Sequence, residues 1–200
     1  MTQSNLPRFN LHGDIETGTD TKLAAFLGEN PGPVVLVINS GGGNAAVGAA
    51  MLAEVERHGR VTARIQGLAA SAASLVAVGC YDVLIHPDAM FMIHEPAVET
   101  GGTADDLRDV AAVLDKMNLT YAKAYARHTG HPVETILEWM KVETWLTAEE
   151  AVELRFADQV ETPEEPGTIK ALADFTRFKA VPPIFARQGA PEKRSDGRSV

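Results

Sequence analysis

The chain has 200 residues, 45% of them hydrophobic, a formal net charge of −9 and a single cysteine, Cys80. That length suits one globular domain; the lone cysteine excludes an internal disulfide framework and fits a reducing compartment; and the acidic balance disfavours nucleic acid as a partner. The longest purely apolar runs, Val34 to Ile38 among them, are far short of the ~20 residues of a membrane helix, and the first ten residues lack a basic-then-apolar signal pattern, so a cytoplasmic protein with no membrane partner is expected.

In chain order, "RFNLHGDI" reads as a first strand, followed by a short helix with Leu23, Phe26 and Leu27 on one face and Gly28 as its C′ residue. "VVLVINS" is a continuous β-branched run, the mark of a strand buried on both faces of a parallel sheet. It ends in Gly41-Gly42-Gly43, and Asn44 is placed to cap a helix in which Val47, Met51 and Val55 recur to about Gly59. "RVTARIQG" is the next strand, ending at Gly67, and "GLAASAASLV" opens the next helix; "YDVLIHPDA" and "MFMIHEP" are two more short strands.

From Thr103 the period lengthens, and Leu107, Val110, Leu114, Met117, Tyr121 and Ala124 share one face of a long amphipathic helix with a Thr103/Asp106 capping box. "HPVETILEWMK" is a helix with Pro132 in its first turn, and Thr147 with Glu150 starts another. Alternating strands and helices give an α/β class with a largely parallel sheet. Residues 1–161 carry 11 basic and 22 acidic side chains, whereas residues 162–200 carry 7 and 5 and five of the eleven prolines, so the domain is expected over 1–161 and a mobile, Pro-rich extension over 162–200.

The chemistry-bearing residues gather at strand ends, where open α/β sheets place ligands. A glycine loop ends one strand, Ser71 and Ser74 follow another, and His94 ends a third. A serine hydroxyl becomes a competent nucleophile when an imidazole takes its proton. Backbone N–H groups at a helix start and in a glycine loop can hold an oxyanion, each donor contributing about 2.7–4 kcal/mol. Small alanines beside the serine would leave room for a substrate carbonyl. The loop lacks the Lys-Ser/Thr of a phosphate loop, and neither H-E-x-x-H nor paired Cys/His spacing occurs, so no metal or organic cofactor is expected.

"INSGGG", "GLAASAAS", "MIHEP" and "HTGHPVETI…ETWLTAEEAVELRFAD", in that order between about Phe9 and Val160, resemble the Clp protease proteolytic subunit (ClpP) family of serine peptidases. The "GLAASAAS" and "ETWLTAEEA" variants look closest to the phage and prophage branch that acts as a head maturation protease. The resemblance implies a ClpP/crotonase-like fold with a strand-plus-long-helix handle, built from "VETGGTADD" and the helix after it. It implies Ser71 as nucleophile, leaving Ser74 to packing, and His94 as general base. Gly43 and Ala72 would be the oxyanion-hole backbone donors, and Glu143 the third triad member where the family usually has aspartate. "SGGG" stands in place of the usual S-P-G-G, and Arg155 in place of a usual glycine. A homo-oligomeric ring, two rings stacked, is implied, with protein or peptide substrates such as capsid or scaffold proteins. The first strand begins within about ten residues of Met1, so the family's axial-loop segment is expected to be missing and an unfoldase ATPase partner is not expected. Rival readings are a housekeeping-type subunit working with an ATPase, a crotonase-like enzyme acting on acyl-thioesters, and a non-catalytic ring or scaffold subunit.

Overall fold

A computed structural model describes residues 6–162. The expected extension over 162–200 lies, but for its first residue, outside the described residues. The chain order is β1 (Arg8–His12), α1 (Thr19–Glu29), β2 (Val34–Ser40), α2 (Ala45–His58), β3 (Val61–Ala70), α3 (Ala72–Ala77), β4 (Asp82–Ile85), β5 (Met90–Ile93), α4 (Ala104–Thr129), α5 (Val133–Lys141), β6 (Thr144–Leu146), α6 (Ala148–Glu153) and β7 (Gln159–Val160). These form the expected mixed α/β architecture: a seven-stranded sheet in the order β1-β2-β3-β4-β7, with β5 added to β3 and β6 to β5. Every pairing is parallel except β5 with β6.

Local chemistry explains most boundaries. All seven residues of β2 are buried, as its unbroken apolar run requires. The Asn44 side chain accepts the Ala46 and Val47 N–H groups at 3.0 and 3.1 Å, and Gly59 closes α2 at φ +70°. Capping boxes start α4 at Thr103/Asp106 and α6 at Thr147/Glu150. Phe156, fully buried, ties the helical layer to the sheet, with ring centroids 5.3 Å from Phe91, 5.9 Å from Tyr125 and 6.1 Å from Trp139. Among the described residues no helix is long and apolar enough to cross a membrane.

Four expectations are corrected. The third strand continues past Gly67 to Ala70, because Leu68, Ala69 and Ala70 pair with Met90, Phe91 and Met92 of β5; this tertiary pairing overrides the helix preference of alanine. Gly28 lies inside α1, and Asn30 is its C-cap, with the Asn30 backbone N–H and side-chain amide both donating to Phe26 O. Pro132 is the N-cap of α5 rather than its first turn. The handle has its long helix but no strand: residues 94–103 pair with no strand among the described residues, and Pro96, Gly101 and Gly102 disfavour one.

Candidate active site

The length of β3 sets the site. Its first half pairs with β4, Thr62 to Ile65 against Asp82 to Ile85, and its second half with β5. The last parallel pair is Ala70 with Met92, and the Ser71 N–H donates to the Met92 carbonyl at 3.1 Å. Ser71 leaves β3 one residue past this pair and His94 leaves β5 two residues past it, so both emerge from one sheet edge. The His94 Nε2 lies 2.7 Å from Ser71 Oγ. Ser71 turns the chain from strand into α3 at φ +56°, ψ −125°, a conformation that costs a non-glycine residue about 1–3 kcal/mol and survives only where neighbours over-determine it.

Opposite lies the glycine loop. Ile15 N–H donates to Gly42 O and Asn44 N–H to Ile15 O, both at 2.8 Å, forming a parallel bridge between Ile15 and Gly43. In such a bridge the central residue's own N–H takes no part, so the Gly43 N–H faces away from Ile15. Gly43 has φ +147°, and a Cβ there would collide with the Ile15 backbone. A Cβ on Gly42 would stand 2.6 Å from Ala70 O, 2.7 Å from Ser71 Cβ and 2.8 Å from the Ala72 N. The missing side chain thus lets the loop rest directly on the serine turn. Ala72 is the first residue of α3, and its N–H has no intrahelical acceptor.

Glu143 sits between α5 and β6 at φ +56° and is 9% exposed. The antiparallel register pairs Met92 with Trp145 and Ile93 with Thr144; one step further sets position 143 opposite position 94. Its Oε1 accepts the Trp145 indole N–H at 3.2 Å.

A cleft of about 780 Å³ opens over Gly43, Ser71 and His94, walled on its far side by Val98 and by Val110, Val113, Leu114 and Met117 of α4. Ala72 lines a small adjoining cavity of about 20 Å³ together with Ser71 and His94. The alanines serve close packing more than substrate room, since a Cβ on Gly48 of α2 would come within 2.8 Å of Ala72 Cβ. Among the described residues no cluster of His, Cys, Asp or Glu could hold a metal ion. Cys80 is buried away from this edge, and burial pushes its thiol pKa up, leaving it unreactive.

Sequence reasoning missed three contributors. Gly42 was hidden inside a triple glycine. Ser74 is buried, as a packing residue should be, but its hydroxyl donates to the Ser71 carbonyl at 2.7 Å and lies 2.9 Å from the Tyr125 hydroxyl. Tyr125 was legible in principle: a phenol on the buried face of an amphipathic helix needs a polar partner.

A family model described as Clp protease matches residues 17–164. An ATP-dependent Clp protease proteolytic subunit of Paracoccus denitrificans is 34% identical over 143 residues, covering 68% of this chain and 69% of the relative. Proteolytic subunit 2 of Tropheryma whipplei is 35% identical over 133 residues, covering 64% and 73%. Proteolytic subunit 2 of Thermobifida fusca is 32% identical over 133 residues, covering 64% and 65%.

Proposed function

Because this chain belongs to the Clp protease family and is a serine-type peptidase, we propose that it cleaves peptide bonds with Ser71 as nucleophile, His94 as general base, Glu143 as the group orienting His94, and the Gly43 and Ala72 N–H groups as the oxyanion hole. The observation that carries this reading is the 2.7 Å contact between Ser71 Oγ and His94 Nε2 at a strained turn facing an open cleft.

Ser71 Oγ adds to the scissile carbonyl carbon as His94 Nε2 takes its proton, and the carbonyl oxygen becomes an oxyanion between the two N–H groups. His94 then protonates the departing amine, leaving an acyl-serine. Water attacks that ester with His94 again as base, releasing the carboxylic acid and restoring the Ser71 hydroxyl. The acyl-thioester reading requires no Ser–His pair and is disfavoured by this contact. Fluorophosphonate treatment tests the assignment. Labelling at Ser71 that vanishes in Ser71→Ala is expected; labelling at Ser74 would mean that the nucleophile is the other serine, and no labelling in assembled protein would overturn the assignment and favour a scaffold subunit.

The family forms oligomeric rings and acts on protein substrates. For this chain, self-association is supported by α4, where Leu107, Val113 and Leu119 are exposed. Capsid or scaffold proteins are the substrates we infer, supported by the "GLAASAAS" and "ETWLTAEEA" variants. The names of the relatives favour a second reading, a subunit working with an ATPase. Cleavage of capsid assembly proteins without ATP supports the first. Degradation of a folded protein only with an unfoldase and ATP supports the second.

A further inference from the structure

The Ser71 carbonyl is held more firmly than a helix start requires. It accepts the Leu75 N–H at 3.1 Å and the Ser74 hydroxyl at 2.7 Å, and the Tyr125 hydroxyl stands 3.4 Å away. A serine bonding back to a carbonyl three residues earlier is ordinary helix behaviour. Tyr125 is not local: it reaches in from α4, 54 residues along the chain. Ser74 has one hydroxyl proton, committed to the Ser71 carbonyl, so in the 2.9 Å Ser74–Tyr125 contact the phenol is the donor. The order is Tyr125 O–H to Ser74 Oγ, then Ser74 O–H to Ser71 O. Ser74 is fully buried and Tyr125 only 3% exposed, and burial keeps the phenol protonated by pushing its pKa up.

The consequence comes from peptide planarity. The Ser71 carbonyl and the Ala72 N–H belong to one rigid trans amide, so fixing the oxygen fixes the direction of the N–H at the other end. We propose that Ser74 and Tyr125 are positioning residues that aim the Ala72 N–H at the oxyanion by holding the far side of its peptide plane. One turn earlier on α4, the Tyr121 hydroxyl donates to the Ala45 carbonyl at 3.0 Å, just behind the Gly43 loop, so the same helix steadies the other donor's loop. The proposal rests on the reading of Ser71 as nucleophile and Ala72 N–H as oxyanion donor.

Tyr125→Phe keeps the ring that packs on Phe156, and Ser74→Ala removes only the hydroxyl. Each variant is assayed on a fluorogenic peptide as the full chain, per active site titrated with fluorophosphonate. In both, kcat is expected to fall about tenfold to hundredfold with KM within about twofold. Affinity for a peptide aldehyde, whose serine adduct carries the oxyanion, should fall by the same factor. Titration removes any contribution from unfolded protein. Wild-type kcat in both variants, or reduced kcat with unchanged aldehyde affinity, overturns the proposal. A wild type that is not labelled at Ser71 overturns the nucleophile reading beneath it, a distinct result.

Discussion

Gly42→Ala tests whether the glycine loop and the serine turn are one mechanical unit. The new Cβ would stand 2.6–2.8 Å from Ala70 O, Ser71 Cβ and Ala72 N, and two of these are backbone atoms that cannot swing aside. Restoring ordinary contact requires the loop to retreat by roughly 0.6–0.8 Å. Gly42 also sits at φ +88°, which costs an L-residue about 1–2 kcal/mol, and overpacking adds about 1–3 kcal/mol. Stability should therefore drop by about 2–5 kcal/mol. The neighbouring Gly43 N–H moves with the loop, and a misplacement approaching 1 Å costs about 10²-fold in rate, or about 2.7 kcal/mol. The assay is kcat/KM on a fluorogenic peptide per titrated active site, with the thermal unfolding midpoint measured alongside. Gly28→Ala is the control: it lies within α1 with nothing within 4 Å of the added Cβ, and should stabilise by about 0.5–1 kcal/mol without changing activity. Gly42→Ala with near-wild-type kcat/KM and midpoint would refute the reasoning, because the two elements would then move independently.

Glu143→Gln keeps an oxygen for the Trp145 indole but removes the charge; kcat should fall about 10²–10⁴-fold with little change in KM, and a wild-type kcat would leave Glu143 a structural role only. Arg155 holds φ +61° where a glycine would be unstrained, so Arg155→Gly should raise stability by about 0.5–1 kcal/mol net of chain entropy, read as a higher urea midpoint. Burial lowers the His128 pKa from its usual 6.5, outweighing Asp158 and backbone hydrogen bonds at Val78 and Phe156 that raise it. Between the folded and unfolded values the unfolded chain binds more protons, so this contribution to stability is complete above the unfolded pKa and is lost as pH falls through the folded one. Urea midpoints taken from about pH 7.5 to about pH 5.5 should decline less in His128→Gln than in wild type, and parallel slopes would contradict this.

The parts of the fold legible in the sequence were those fixed by local chemistry: the apolar run of β2, the Asn44 cap and the two Thr-started helices. What escaped was decided by distant partners. Leu68-Ala69-Ala70 is strand because β5 lies alongside and Ser40 of β2 pairs with Ala69, and the three-residue β6 carries no period of its own. The site divides in the same way. Serine, histidine and the glycine loop were each visible at a strand end, whereas the role of Gly42 depends on a backbone 28 residues later in the chain. Among the described residues three non-glycine residues adopt positive φ, namely Ser71, Glu143 and Arg155, and no composition rule points to them. Two of the three are candidate site residues, as expected where strain is retained for chemistry.

The divided pairing of β3 also bears on when the chain becomes active. A chain that has joined β3 to β4 already possesses Ser71, but not its imidazole. His94 arrives only when β5 docks on the second half of β3, closing a contact across 23 residues, and Glu143 only when β6 joins β5. The β5–β6 closure, Phe91 to Leu146, spans 55 residues and carries the larger loop-closure entropy. On the proposed assignment hydrolytic power is therefore a property of the finished sheet, because Ser71, His94 and Glu143 are brought together by the pairing of β3 with β5 and of β5 with β6.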